Sequence, residues 1–125
     1  MKLDFLRSGS PECPLIRLYD FDTVEADRLM QVALRLAQYQ NKVVALHTEQ
    51  DVRAIGGCEL TLREGEKDQG ASELAELKFE WVLTEGGWLE VAGLIQPFCR
   101  GEASGYQWLT RTGKIAVLLS HDGQW

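Results

Sequence analysis

The chain has 125 residues, a hydrophobic fraction of 45%, a charged fraction of 26% and a formal net charge of −6. That length suits one domain burying roughly two-thirds of its unfolded surface. The acidity excludes general binding to a phosphate backbone, since no basic stripe is present to displace counterions.

Residues 1–13 read as a loosely ordered N-terminal arm, with residues 14–125 as a single α+β domain. Leu15 to Tyr19 reads as a strand. Asp22 or Thr23 then caps a helix; with Asp22 as cap, Glu25 falls three residues on as in a capping box. Leu29, Val32, Ala33, Leu36 and Ala37 recur at helical spacing, and Asn41 suits a left-handed helix stop. Lys42 to Thr48 is an apolar run of strand length, and Val52 to Ile55 is a second short extended piece before a turn at Gly56-Gly57.

Beyond that turn the pattern changes to alternation. Cys58, Leu60 and Leu62 face one way, while Glu59, Thr61 and Arg63 face the other, the pattern of a strand with one wet face. Residues 64–74 are polar and read as a surface loop, part of an acidic stretch 64–76 carrying Glu64, Glu66, Asp68, Glu73 and Glu76. A strand follows with Leu77, Phe79, Trp81 and Leu83 inward. Residues 84–96 admit a helix capped by Thr84 or one arm of a hairpin; the helix is favoured, ending before Pro97. Tyr106 to Thr110 and Ile115 to Ser120 read as a hairpin around the loop 111–114. Trp125 is expected to fold back as an aromatic plug.

The predicted order is β-α-β-β-β-α-β-β. Half-wet strands and short connections imply a largely antiparallel sheet with two helices packed on one face, and no internal repeat is visible.

Three groups of residues could carry chemistry. The segment Asp20-Phe21-Asp22-Thr23-Val24 resembles the Asp-x-Asp signature of haloacid-dehalogenase-like phosphotransferases over about ten residues. The resemblance implies Asp20 as nucleophile, Asp22 as acid–base group, a magnesium ion and a parallel, doubly wound sheet. The alternating strands after residue 57 instead describe a meander, and helix capping by Asp22 is the reading adopted. Residues 96–101, Gln-Pro-Phe-Cys-Arg-Gly, resemble the Gln-Ala-Cys-Arg-Gly segment of caspases, which implies Cys99 as a thiolate nucleophile with His47 as its base. Cysteine is commonly buried, and an inert Cys99 is expected. Cys13, Cys58, Cys99, His47 and His121 could in number bind zinc, but no two have chelating spacing. Catalytic, cofactor-binding and metal-binding residues are therefore all assigned as none, and Trp81, Trp88, Tyr106 and Trp108 are assigned to the core.

Three widely spaced cysteines suit free thiols in a reducing, cytoplasmic compartment. No apolar run reaches the roughly 18 residues of a membrane span. The expected function is non-enzymatic: a small acidic domain that binds or regulates another protein, or pairs with a second copy through an edge strand, without nucleic acid, membrane or cofactor. The alternative is a small-molecule site or enzyme between sheet and helices, using Arg17, His47, Cys99 or His121 if folding brings them together.

Overall fold

A computed structural model describes every residue except Asn41 and Arg111. Among the described residues it is an α+β fold with two helices and nine strands in two mixed sheets. The strands are β1 (Lys2–Leu6), β2 (Leu15–Tyr19), β3 (Val43–Ala45), β4 (Arg53–Ala54), β5 (Glu59–Glu64), β6 (Gly70–Ala75), β7 (Lys78–Leu83), β8 (Tyr106–Thr110) and β9 (Ala116–Ser120). The helices are α1 (Thr23–Gln38) and α2 (Glu85–Cys99), and a 3-10 turn covers Leu46–Thr48.

The larger sheet has the order β4-β1-β2-β9-β8 and the smaller the order β3-β5-β7-β6. Each is centred on a parallel pair, β2 with β9 and β5 with β7, flanked on both sides by antiparallel neighbours. The α+β class with two helices packed on sheet is as expected; the finer difference is that the strands divide into two mixed sheets instead of one largely antiparallel sheet. Alternation tells which face of a strand is dry, but not which strand lies beside it or in which direction.

The pairing reveals a two-part plan that residue patterns concealed. An antiparallel hairpin (β1-β2), a helix (α1) and a second hairpin (β3-β5) are followed by the same series again: β6-β7, α2, β8-β9. The hairpins are exchanged between sheets, so each sheet takes one hairpin from each half. In both halves the loop of the second hairpin returns to the edge strand of the first, as β4 along β1 and as Ile115 bridging Ala71. At that second seam Gly70 and Gly113 both hold positive φ, and a Cβ on Gly70 would lie 2.3 Å from the Thr112 carbonyl oxygen. Only glycine fits there.

Three further local expectations differ from the structure. The arm is not loose, because Lys2–Leu6 pairs with β2 and buries Leu3, with Phe5 half-buried against the core. The acidic loop is shorter than expected, because Gly70–Ala75 pairs with β7 through a tight turn in which Leu77 takes φ 60. Lys42 to Thr48 is a strand only over Val43–Ala45 before the 3-10 turn.

The helices start as their caps require. Asp22 Oδ1 accepts from the Glu25 amide at 2.8 Å and Glu25 Oε1 from the Asp22 amide at 3.1 Å, the reciprocal capping box. Thr84 Oγ1 accepts from the Gly87 amide at 3.1 Å. α1 ends at Gln38, capped by Tyr39; the proposed stop at Asn41 lies outside the described residues. α2 runs through Pro97 to Cys99, past the expected end. Proline there forgoes its bond to the Gly93 carbonyl, and Gly93 is exposed, so water can satisfy that oxygen.

One apolar cluster joins the inner faces of both sheets to both helices: Leu3, Ile16, Leu18, Val117 and Leu119 from the larger sheet, Leu60, Leu62, Phe79 and Trp81 from the smaller. Phe5 and Phe79 meet at 4.5 Å between ring centroids, bringing the two sheets together directly. Trp81 and Trp88 pack edge-on at 4.8 Å, and Trp88 Nε1 donates to the Arg63 carbonyl at 3.0 Å.

Candidate functional site

The residues singled out from the sequence do not form one centre. Asp20 and His121 are neighbours, the Asp20 amide donating to the His121 carbonyl at 3.2 Å. His121 also stacks edge-on against Phe21 at 5.7 Å. His47 lies elsewhere, on the 3-10 turn, where its Nδ1 accepts from the Leu60 amide at 3.0 Å and its Nε2 is 3.3 Å from Glu59. Cys99 ends α2 with its Sγ 3.6 Å from the Ile95 carbonyl and 4.0 Å from Met30 Sδ, and burial pushes its thiol pKa up. A thiol so placed is a poor nucleophile. Among the described residues no three of His, Cys, Asp and Glu cluster as metal ligands, and no helix is long and apolar enough to cross a membrane.

The two aspartates of the opening motif are both engaged. Lys2 Nζ lies 2.9 Å from Asp20 and holds its carboxyl below the usual carboxylate range. Asp22 is the helix cap. The acidic stretch is engaged in part as well: Asp68 Oδ1 accepts from both the amide and the hydroxyl of Thr84, and Glu73 takes Arg7 at 3.2 and 3.0 Å.

The outer face of the larger sheet is where unusual chemistry collects. Strand alternation puts Lys2, Asp4 and Leu6 outward on β1, Leu15, Arg17 and Tyr19 on β2, Ala116, Leu118 and Ser120 on β9, and Tyr106 and Trp108 on β8. The register sets Asp4, Arg17, Leu118 and Trp108 in one row, and Lys2, Tyr19, Ser120 and Tyr106 in the next. An outward face ordinarily meets water, yet Leu15, Leu118 and Ser120 are fully buried and Asp4 is 9% exposed.

Arg17 organises this face. Its Nε and Nη2 donate to the two Asp4 oxygens at 3.0 and 2.6 Å, a bidentate pair, and Tyr19 Oη donates to Asp4 at 3.3 Å. The guanidinium sits 4.0 Å over the Tyr19 ring. Its remaining Nη1 donates to the Gly123 carbonyl at 2.8 Å, and Ser120 Oγ donates to the Gln124 carbonyl at 2.6 Å. Residues 121–125 are thereby pinned across the sheet. Gly123 takes φ +85, and a Cβ there would lie 3.0 Å from Arg17 Nη1 and 3.1 Å from Tyr19 Cδ2.

Beside this crossing lies an open cleft of about 560 Å³ lined by Ser10, Glu12, Tyr106, Trp108, Gln124 and Trp125. Tyr106 is 50% exposed and Trp125 37%, and the rings of Tyr106 and Trp108 stand edge-on at 6.5 Å. Trp125 therefore folds back as expected but walls a cleft instead of plugging the core. Trp81 and Trp88 are core, whereas Tyr106 and half-buried Trp108 are not. The alternation of Tyr106 and Trp108 with Gln107 and Leu109 carried the signal, since Leu109 claims the inner face. Asp4 was missed because its partner is thirteen residues away on another strand.

The β8 edge is poorly suited to strand addition. Its register shifts between Trp108 and Thr110, and Gln107 Nε2 occupies the Trp108 carbonyl at 3.0 Å. Both features blunt an edge. What the face offers is aromatic side chains on a rigid sheet, with amide, carboxylate and hydroxyl groups at the rim.

No protein-family model, curated protein or solved structure matches this chain.

Proposed function

We propose that this chain is a protein-binding module that receives a basic segment of its partner on the outer face of the larger sheet. The observation that carries this reading is the grouping of Tyr106, Trp108 and Trp125 around one open cleft. Tyrosine and tryptophan supply large contact area at low entropic cost and dominate the energetic centres of interfaces. The Arg17–Asp4–Tyr19 network ties down residues 121–125, which carry Trp125, before a partner arrives. The net charge of −6 favours a basic partner and speeds its approach at low salt. The scatter of His47, Cys99 and Asp20 favours binding over catalysis.

The experiment compares wild type with a Tyr106→Ala/Trp108→Ala variant as baits, after thermal melts establish that both are folded. A partner held by wild type, released by salt and lost from the variant supports the reading. Recovery of the same partners by both baits would overturn it.

A further inference from the structure

A second concavity lies away from the aromatic face, between α1 and the segment 46–52. It holds about 370 Å³, within the range of small-ligand pockets. One wall is a single stripe of α1: Arg28, Val32 and Arg35 fall on one face at helical spacing, with Leu29 beside them. The other wall is Leu46 and Val52. It is held by consecutive backbone bonds, Glu49 amide to Leu46 carbonyl and Val52 amide to Glu49 carbonyl, each at 3.1 Å, and the Arg53 amide reaches the Met1 carbonyl at 2.8 Å. The cleft is thus formed before any ligand enters.

Its floor is apolar: Leu29, Val32 and Leu46 are each at most 5% exposed. Its rim is charged and unevenly paired. Glu25 engages the Met1 amine, and Arg28 approaches Asp51 only to 3.9 Å. Arg35, at the C-terminal end of the stripe, has no ion-pair partner among the described residues. Its one structural role there is favourable placement at the helix C-terminus.

We infer that this cleft binds a small apolar carboxylic acid, its hydrocarbon on Leu29, Val32, Leu46 and Val52 and its carboxylate on the Arg35 guanidinium, with Arg28 as a second donor. Guanidinium and carboxylate match as a two-pronged pair, and a dry floor next to such a pair rewards a ligand that is apolar at one end and anionic at the other. Glu49 stands on the same rim and opposes a second negative charge, so the class is a monoacid.

The test titrates hexanoate, hexanol and hexylamine into the intact chain while the methyl resonances of Leu29, Val32, Leu46 and Val52 are followed. Hexanoate is expected to shift these methyls and to bind more tightly than the alcohol or the amine. Arg35→Gln, an exposed change whose melting temperature serves as the folding control, is expected to weaken hexanoate by about tenfold and leave hexanol unchanged. Equal binding of the three probes, absence of shifts at these methyls, or full hexanoate affinity in Arg35→Gln would each overturn the proposal. The Tyr106→Ala/Trp108→Ala variant retains this binding, which separates the cleft from the aromatic face.

Discussion

On the outer face of the larger sheet, Asp4 and Arg17 meet at 2.6 Å with side-chain exposures of 13% and 18%, and residues 121–125 lie over them. On the outer face of the smaller sheet, Arg63 and Glu80 meet at 2.7 Å across the parallel β5-β7 pair, with Arg63 47% and Glu80 17% exposed. The pairing distances are nearly equal, and the surroundings are not. One pair is shielded on both members and tied to further groups; in the other the carboxylate is shielded but the guanidinium is half open to water. Two sheets assembled on one plan thus differ by what crosses them. The difference teaches that the connectivity does not choose which face carries a shielded charge pair; the segments outside the strands do.

The strongest way to break this comparison is to remove one charge from each pair. Asp4→Ala leaves a shielded guanidinium without its acceptor and is expected to cost about 3 kcal/mol in denaturant unfolding. Glu80→Ala is expected to cost about 1 kcal/mol, since the Arg63 guanidinium it leaves behind is half open to water. Equal losses would mean that the covering segment does not shield the first pair.

The buried side of the smaller sheet offers a pH probe. Burial pushes the Cys58 thiol from its ordinary 9.0 up to about 11. Below pH 9 both folded and unfolded states hold the proton, so the contribution is complete there. Between about 9 and 11 the unfolded chain releases it first, and stability falls as pH rises. Wild type should lose about 2 kcal/mol relative to Cys58→Ala across that window. Parallel stability curves for the two proteins would show that the thiol is not shielded.

Gly123→Ala puts a methyl against Arg17 and Tyr19 at a positive φ and is expected to cost about 1.5 kcal/mol. It should also quench the difference between the two faces by loosening residues 121–125, seen as faster amide exchange at Gly123 and Gln124. The smallest effects test what the halves share. Asp22→Ala and Thr84→Ala should each cost about 1 kcal/mol through the lost cap, whichever half they belong to. Magnesium should leave the wild-type melting temperature unchanged, since Asp22 is occupied by its own helix.

The helices and most strands were legible because their causes are local. A capping box is made by residues three apart, and Cys58, Leu60 and Leu62 reveal a dry face by alternation alone. The strand in the supposed arm was not legible, because Lys2–Leu6 pairs across an intervening turn containing Pro11 and Pro14. Neither was β6, whose polar residues become a strand only against β7.

The sequence by itself determined where α1 begins, which strand residues seek the interior, and the net negative charge, and it favoured a helix from Thr84 without deciding it. Tertiary structure alone decided that β2 lies beside β9 and β5 beside β7, that Asp4 finds Arg17, and that Tyr106 and Trp108 face a cleft. Caps and alternation are short-range properties written in neighbouring residues. Sheet partners, shielded charges and clefts arise only when segments far apart in the chain exclude water together.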